Sequence, residues 1–403
     1  MPESSEGPEK SGAALYLDTA SAAPVRREAL EAAWPFLAGA FGNPSSHHEI
    51  GRISAEALHD ARQRVAAVLG MRATDVTFTS GGTEAANLAI IGMALGARAD
   101  RLATESTSRP PRRHLVTSPI EHEAVLASAD FLHRVHDFEV TELDVDSAGT
   151  VTPEALSAAI RDDTAVVSLG YANNEIGTVA DIPPLADVAH AAGALFHTDA
   201  VQAAGWLPLS GLGVDALSLA GHKVGAPKGI GVAAIRARIP VEPLIRGGGQ
   251  ESGRRSGTEN VALAVAFATA LELAEAERLE AADRVRRIRD EFIAEVLGAV
   301  PGVLLTGSTE SRTANHASFC FSHTSGEAVL LELEERGVTA SSGSACAVGS
   351  DEPSHVLTAL GIEDEVATTS VRFTFPASIT EAEGRAAARA VIDAATSLAL
   401  HYA

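Results

Sequence analysis

The sequence predicts an α/β protein with a large domain, whose mostly parallel sheet is flanked by helices, and a smaller α+β domain. Short apolar runs rich in β-branched residues alternate with helical periodicity through the first two thirds of the chain. Near residue 260 this pattern gives way to a long stretch rich in Ala, Glu, Leu and Arg, and short strands and helices follow it. Strands that alternate with helices favour a parallel sheet covered on both faces.

The elements follow from periodicity and from turn residues. Ile53, Leu58, Ala61, Val65 and Val68 share one face of a helix. Predicted strands in the first part lie at 76–79, 114–117, 164–169, 194–199 and 215–220, with predicted helices at 84–95, 121–133 and 184–193. Residues 260–300 predict one long helix or two. Strands at 303–305, 318–321 and 371–375 and helices at 327–336 and 381–398 follow.

These patterns divide the chain into three parts. Residues 1–14 are polar and predict a disordered segment. Residues 15–259 form the predicted large, ligand-binding domain, and residues 260–403 form the smaller C-terminal domain.

Composition excludes several classes of protein. The formal net charge of −22 disfavours binding to nucleic acid or to anionic membranes. No apolar run reaches the roughly 18 residues of a membrane-spanning helix. The two cysteines, Cys320 and Cys346, form no CxxC pair and no metal-ligand cluster. We therefore expect a cytoplasmic protein with reduced thiols and no metal site.

Lys223 and Asp199 suggest the chemistry. Each follows an apolar strand, and ligands of open α/β sheets bind beyond the carboxyl ends of strands. An amine that forms a Schiff base and a carboxylate that keeps a pyridine nitrogen protonated are what pyridoxal phosphate (PLP) needs. A surface lysine and an aspartate that caps a helix are the alternatives.

Other polar residues at strand ends fit the same cofactor. The turn 80–83 precedes a predicted helix, where backbone N–H groups would bind a phosphate. His122 is placed to stack on the ring or to move protons, and Asn174 and Gln202 are placed to bond to it. Arg372 lies in a β-rich apolar run, where a substrate carboxylate would compensate its charge. All of these except Gln202 also have a structural alternative: an ordinary glycine turn, a surface or core histidine, a turn asparagine or an edge-strand arginine.

The two cysteines differ in their surroundings. Cys346 lies in a stretch of small, polar residues, 341–350, which predicts an exposed loop and an accessible nucleophile. Cys320 lies between Phe319 and Phe321, which predicts a core residue. An incidental thiol is the alternative for Cys346.

Several blocks, taken in order, resemble the cysteine desulfurases, which are class V, fold-type I PLP enzymes. The resemblance spans nearly the whole chain. Its blocks are Leu17-Asp18, 41–46, 78–84, Glu121-His122, 173–177, 199–202, 221–223 with 227–229, 255–258, 341–346 and 352–357. The cysteine segment resembles the subgroup with a long mobile loop, which serves iron–sulfur cluster assembly and tRNA thiolation.

The resemblance implies a role for each site residue. The reaction would take sulfur from L-cysteine, leave L-alanine, and pass a persulfide to a sulfur-acceptor protein. It also implies a homodimer with shared sites. By position, Lys223 would link to PLP, and Cys346 would take the sulfur. Gly82, Thr83 and His222 would hold the phosphate, with Thr258 from the second subunit. Asn174, Asp199 and Gln202 would contact the ring, His122 would stack on it and act in catalysis, and Arg372 with Asn174 would bind the substrate.

One departure from the family pattern concerns the cofactor. The family usually has Ser two residues before the His of its lysine motif, and here that residue is Ala220. A phosphate hydrogen bond, typically worth about 0.5–1.5 kcal/mol net, is expected to be missing. Ser218 points to the same side of its strand but would need a shifted backbone to replace it. This change affects cofactor affinity more than reaction type.

Three other functions remain open from the sequence alone. A selenocysteine lyase need not depend on an enzyme thiol. A class V aminotransferase or another lyase would leave Cys346 without a role. A non-catalytic scaffold for sulfur-carrier proteins would keep the fold without the chemistry.

Overall fold

The computed structural model describes residues 14–103, 111–322, 324–343 and 352–402. The predicted disordered segment 1–14 lies, except for residue 14, outside the described residues, and so does Cys346. None of the helices within these ranges combines the length and the apolar character that crossing a membrane requires.

Strands and helices alternate as the sequence predicts. The strands are β1 Leu15–Tyr16, β2 Val76–Thr79, β3 His114–Thr117, β4 Glu139–Glu142, β5 Thr164–Gly170, β6 Leu195–Asp199, β7 Ala216–Ala220, β8 Gly231–Ile235, β9 Val303–Leu305, β10 His316–Phe321, β11 Val338–Thr339, β12 Ser341–Ser342 and β13 Ser370–Thr374. The helices are α1 Arg27–Ala38, α2 Glu49–Leu69, α3 Gly82–Asn87, α4 Met93–Ala103, α5 Glu123–His136, α6 Pro153–Ala159, α7 Ile182–Ala191, α8 Val261–Ala299, α9 Gly326–Glu335, α10 His355–Ala359, α11 Asp364–Ala367 and α12 Glu381–Tyr402.

The larger sheet has the strand order β2-β8-β7-β6-β5-β3-β4. The described strands of this sheet all run in one direction except β8, which pairs antiparallel with β2 and β7. Successive residues of β5 face opposite sides: Val166 joins a core with α4 and α5, and Val167 joins a core with α2, α7 and α8. Strands buried on both faces read as continuous apolar runs. The predicted α/β class is confirmed.

The smaller sheet is antiparallel, with the order β12-β13-β10-β9. Its core is aromatic: the ring centroids of Phe292 and Phe373 are 5.2 Å apart, and Phe319 and Phe375 pack on the same cluster. Strand β1 comes from the start of the chain and pairs with β11. The N-terminal half of α8 belongs to the core of the larger sheet and the rest to the aromatic core. The predicted division at 259/260 stays a prediction.

Candidate active site

A cavity of about 260 Å³ lies at the carboxyl ends of β5 and β6. Parallel strands end at a common edge, so the residues that follow them converge there. The predicted residues that line it are His122, Asn174, Asp199, Gln202, Lys223 and Arg372. These residues span 250 positions of sequence, and the fold brings them together.

Lys223 ends the short turn that follows β7. Its Nζ donates hydrogen bonds to the carbonyl oxygens of Ser21, at 2.8 Å, and Ala20. A Cβ on Gly221 would lie 2.7 Å from the Ile230 side chain and 3.0 Å from its carbonyl oxygen, so the turn needs glycine there. The amine is thereby fixed at the wall of the cavity.

Asp199 closes β6 and faces the cavity with its carboxylate. One carboxylate oxygen accepts a hydrogen bond from the Val201 N–H at 3.0 Å. Burial raises the pKa of Asp199, while this hydrogen bond and the positive charges of His122 and Lys223 lower it. A carboxylate in this setting is stabilised by a cationic N–H placed against it.

His122 and Asn174 lie on the side of the cavity next to β5. His122 is the N-cap of α5, and its Nδ1 accepts the Ala124 N–H at 3.0 Å. In the neutral ring the proton therefore sits on Nε2. The Asn173 side chain donates to the Ile120 carbonyl at 2.7 Å and accepts the Glu175 N–H at 2.8 Å, which fixes the loop that carries Asn174.

Arg372 comes from β13 of the smaller sheet, and its side chain is 3% exposed. Nη1 donates to the Asn174 carbonyl at 3.1 Å, and Nη2 donates to Asp18 Oδ1 and Ser21 Oγ, both at 2.8 Å. The alternative of an edge-strand arginine that faces water is excluded, because β13 lies between β12 and β10 and the side chain is buried. A buried guanidinium needs compensation, and here Asp18 provides it.

The residues predicted to hold a phosphate do not line this cavity. Gly82 begins α3, and a Cβ there would lie 3.1 Å from both the Ala220 and the Val201 side chains. Thr83 and Thr258 are exposed. Arg255 Nε bonds to Glu84 Oε1 at 2.8 Å and joins the segment before Thr258 to α3.

His222 and Ala220 complete this side of the site. Burial, with the nearby charges of Lys223 and Lys228, lowers the pKa of His222 to about 4, so the ring is neutral at neutral pH. Ala220 presents only a methyl group beside Gly82. Ser218 lies opposite Asp199 in the register of β6 and β7. It therefore faces the carboxylate and not the turn at Gly82.

Two buried carboxyl groups have no predicted role: Glu121 lines the cavity, and Glu175 directly follows the lining residue Asn174. Glu121 accepts a hydrogen bond from Ser118 Oγ at 2.7 Å, and burial raises its pKa to about 7. Glu175 accepts one from Ser354 Oγ at 2.5 Å, and burial raises its pKa too. Both lie in motifs of the sequence, but their partners and burial are set by distant segments.

The buried His197 should make the stability of the protein depend on pH. It lies in β6 two residues before Asp199, with Nδ1 2.9 Å from Ser168 Oγ, and burial lowers its pKa from 6.5 to about 3. As the pH falls, the unfolded chain binds a proton on this histidine before the folded chain does. The stability that is present above about pH 6.5 is therefore lost as the pH falls from there towards 3. His197→Gln should reduce the loss of unfolding free energy between about pH 7 and pH 5 by about 2 kcal/mol.

Chemical denaturation at several pH values measures this difference. His59→Gln, which removes an exposed imidazole from α2, is the matched control. An unchanged dependence in His197→Gln would contradict the assignment of a neutral, buried ring.

The donors and acceptors of the site fit PLP. Lys223 offers an amine for an aldehyde, and Asp199 a carboxylate for a protonated ring nitrogen. Helix α3 begins at Gly82 without a side-chain cap, as phosphate binding by backbone N–H groups requires. His122 lies on the cavity wall, where a ring would stack.

Comparison with known proteins identifies the family. Residues 15–384 match the family described as Aminotransferase class-V. "Cysteine desulfurase IscS" of Dictyoglomus turgidum is 43% identical over 362 residues, 89% of each chain. "Cysteine desulfurase NifS" of Azotobacter vinelandii is 42% identical over 376 residues, 92% of this chain and 89% of that protein. A solved structure named "NIFS-like protein" is 32% identical with a TM-score of 0.84, and covers 94% of this chain and 98% of its own. The chain belongs to the class V aminotransferase family and, within it, to the cysteine desulfurases.

Proposed function

We propose that this protein is a PLP-dependent cysteine desulfurase that takes sulfur from L-cysteine, leaves L-alanine and passes the sulfur to an acceptor protein. The observation that carries the proposal is a single cavity that presents an amine (Lys223), a carboxylate (Asp199) and a buried guanidinium (Arg372) together. The amine would react with the aldehyde of PLP, the carboxylate would bind the protonated ring nitrogen, and the guanidinium would bind the substrate carboxylate.

PLP, when bound, supplies an aldehyde for the Lys223 amine and a ring that accepts electrons from the bonds at the substrate Cα. Asp199 would hold the proton on the ring nitrogen, and Asn174 and Gln202 would bond to the ring substituents. His122 would cover one face of the ring. Gly82, Thr83 and His222, with Thr258 of a second subunit, would hold the phosphate.

Lys223, Arg372 and Cys346 would act on the substrate. Arg372 and Asn174 would orient the substrate carboxylate, and Lys223 Nζ would move the proton at Cα. The Cys346 thiolate would attack the substrate sulfur: an S–S bond forms, the Cβ–S bond breaks, and its electron pair stays on Cβ. Cβ then takes a proton to become the methyl group of alanine, while the transferred sulfur is oxidised to the persulfide.

An assay of the purified protein tests this function. In a single turnover, the protein supplied with PLP should form alanine and the Cys346 persulfide in equal amounts from L-cysteine, and it should not need a keto acid. A requirement for a keto acid would instead indicate an aminotransferase. Protein that takes up no PLP and forms no alanine would indicate a scaffold.

An apolar surface supports the proposed homodimer. Leu30, Trp34 and Leu37 lie on one exposed face of α1, and Trp34 is 66% exposed. Phe41, which is 72% exposed, follows α1 by three residues, and Ile53 is an exposed apolar residue of α2. Large side chains concentrated in this way mark an interaction site.

The double variant Trp34→Ser with Phe41→Ser should weaken the dimer by at least about tenfold, because it removes two large apolar groups from the interface. Sedimentation velocity over a concentration series measures this. Leu331→Ser is the matched control, since Leu331 is 59% exposed on α9, which packs against α12, β12 and β13. A wild-type chain that sediments as a monomer at all concentrations would contradict the proposal.

The acceptor, the pathway and the location follow from the resemblance and remain predictions. Iron–sulfur cluster assembly fits the names of the relatives, "IscS" and "NifS". Service to tRNA thiolation, a cytoplasmic location and membership of the long-loop subgroup are part of the same prediction. Persulfide transfer to candidate acceptor proteins is the measurement that separates the pathways.

A further inference from the structure

Arg372 already has a carboxylate partner, and that partner belongs to the chain itself. Asp18 Oδ1 accepts a hydrogen bond from Arg372 Nη2 at 2.8 Å and one from Ser21 Oγ at 2.9 Å. Ser21 Oγ in turn accepts from the same Nη2 at 2.8 Å. Arg372 and Asp18 are 3% and 16% exposed as side chains, so the pair is largely shielded from water.

The geometry of the guanidinium group determines which N–H donors of Arg372 are available to a substrate carboxylate. Two-pronged binding uses either the Nη1–Nη2 edge or the Nε–Nη2 edge, so both edges include Nη2. Both hydrogens of Nη2 are engaged, by Asp18 and by Ser21. Nε is buried and has no hydrogen-bond partner among the described residues. A second carboxylate therefore gains two-pronged contact only where Asp18 or Ser21 gives way.

The turn that carries Asp18 also contacts Lys223. The N–H groups of Ser21 and Ala22 both bond to the Asp18 carbonyl. The Lys223 amine donates to the carbonyls of Ala20 and Ser21 in that turn. Tyr16 Oη lies 2.9 Å from the carbonyls of Asp18 and Ala22. The amine and the guanidinium of the proposed reaction thus share one short segment.

We propose that Asp18 is a positioning residue that stands in for the substrate carboxylate on Arg372 and is displaced when an amino acid binds. The inference rests on the proposed function, because it takes Arg372 as the group that binds the substrate. Asp18 compensates a buried charge in the free enzyme. It also lowers the affinity for the substrate, since each binding event must replace one carboxylate by another.

Asp18→Asn tests this, because asparagine keeps the size and one acceptor oxygen but removes the charge. Titration of the PLP-loaded enzyme with L-alanine, followed by cofactor absorbance, should give a dissociation constant lowered by about tenfold. The KM for L-cysteine should fall with it, and kcat should not rise. The melting temperature should fall without ligand, and L-alanine should raise it more than in the wild type.

Ser21→Ala provides a second, milder variant. It frees one Nη2 hydrogen and leaves Asp18 in place, so the affinity for L-alanine should increase by less than in Asp18→Asn. Asp215→Asn is the matched control: Asp215 is also buried and bonded to an arginine, Arg238, but precedes β7 at the end away from Lys223. It should lower stability without changing the affinity for L-alanine.

Each outcome has one meaning. Unchanged or weaker L-alanine binding in both Asp18→Asn and Ser21→Ala would overturn the inference, because a merely structural role predicts that result. If Arg372→Ala bound L-alanine as the wild type does, the proposed substrate clamp itself would be wrong. Tighter binding in both variants, lost again when Arg372→Ala is added, would support the inference.

Discussion

Lys223→Ala should abolish alanine formation from L-cysteine, with a loss of about three orders of magnitude or more. The variant removes both the link to the cofactor and the group proposed to move the Cα proton. Among the residues that the structure describes, no other lysine lines the cavity, and the turn that follows β7 places Nζ against the Ala20 and Ser21 carbonyls. Steady-state assays of alanine measure the loss.

Borohydride reduction followed by peptide mass spectrometry gives a readout that does not need activity. In the wild type the cofactor should be found on the peptide that contains Lys223, and Lys223→Ala should carry none. Lys228→Ala is the matched control, because Lys228 lies exposed in the same glycine-rich segment. Cofactor attached to any other lysine in the wild type would contradict the assignment.

Cys346→Ala should lose persulfide formation and multiple turnover while it keeps the cofactor spectrum of the wild type. The reason is chemical: without a thiolate, nothing accepts the substrate sulfur and the Cβ–S bond does not break. Trypsin digestion and mass analysis after a single addition of L-cysteine should detect the persulfide on the wild-type peptide only. Full alanine formation by Cys346→Ala would favour the selenocysteine lyase alternative.

Cys320→Ala is the control for Cys346→Ala, because it also removes one thiol but from a different position. Cys320 lies in β10 with no exposed surface, and burial raises its pKa to about 11, so the thiol stays protonated. Its replacement should lower stability by about 1 kcal/mol through the cavity left behind, and should leave persulfide formation unchanged. A loss of persulfide in this variant would point to a different sulfur-bearing residue.

The sequence predicts five of the seven strands described in the larger sheet, because a buried parallel strand carries its own signal, and it misses the edge strand β4 and the antiparallel strand β8. The apolar run at 164–169 becomes β5, Thr164–Gly170, and the run at 114–117 becomes β3. The stretch 260–300 is less clear, since one long helix and two shorter ones share the same periodicity. The structure has one helix there, α8, of 39 residues. Tertiary packing on both sides decides this choice.

Some residues of the candidate site can be predicted from the sequence, and others cannot. Lys223 and Asp199 are visible in sequence because they follow apolar strands. The partner of Arg372 is not, because Asp18 lies 354 residues away and meets it only through the pairing of distant segments. The burial that raises the pKa of Glu121 and Glu175 is likewise a property of the folded chain. Local patterns identify reactive groups, while the groups that compensate them come from elsewhere.

Helix α8 constrains how the length of this chain can vary. Phe267 and Leu271 are buried in the core of the larger sheet, and Ile288 and Phe292 in the aromatic core. Each residue added to a helix rotates everything beyond it by about 100°. One residue inserted near Leu279, which is 73% exposed, would meet no steric obstacle where it is placed. It would nevertheless turn Phe292 away from Phe373, so relatives should differ in this helix by substitution and not by insertion or deletion.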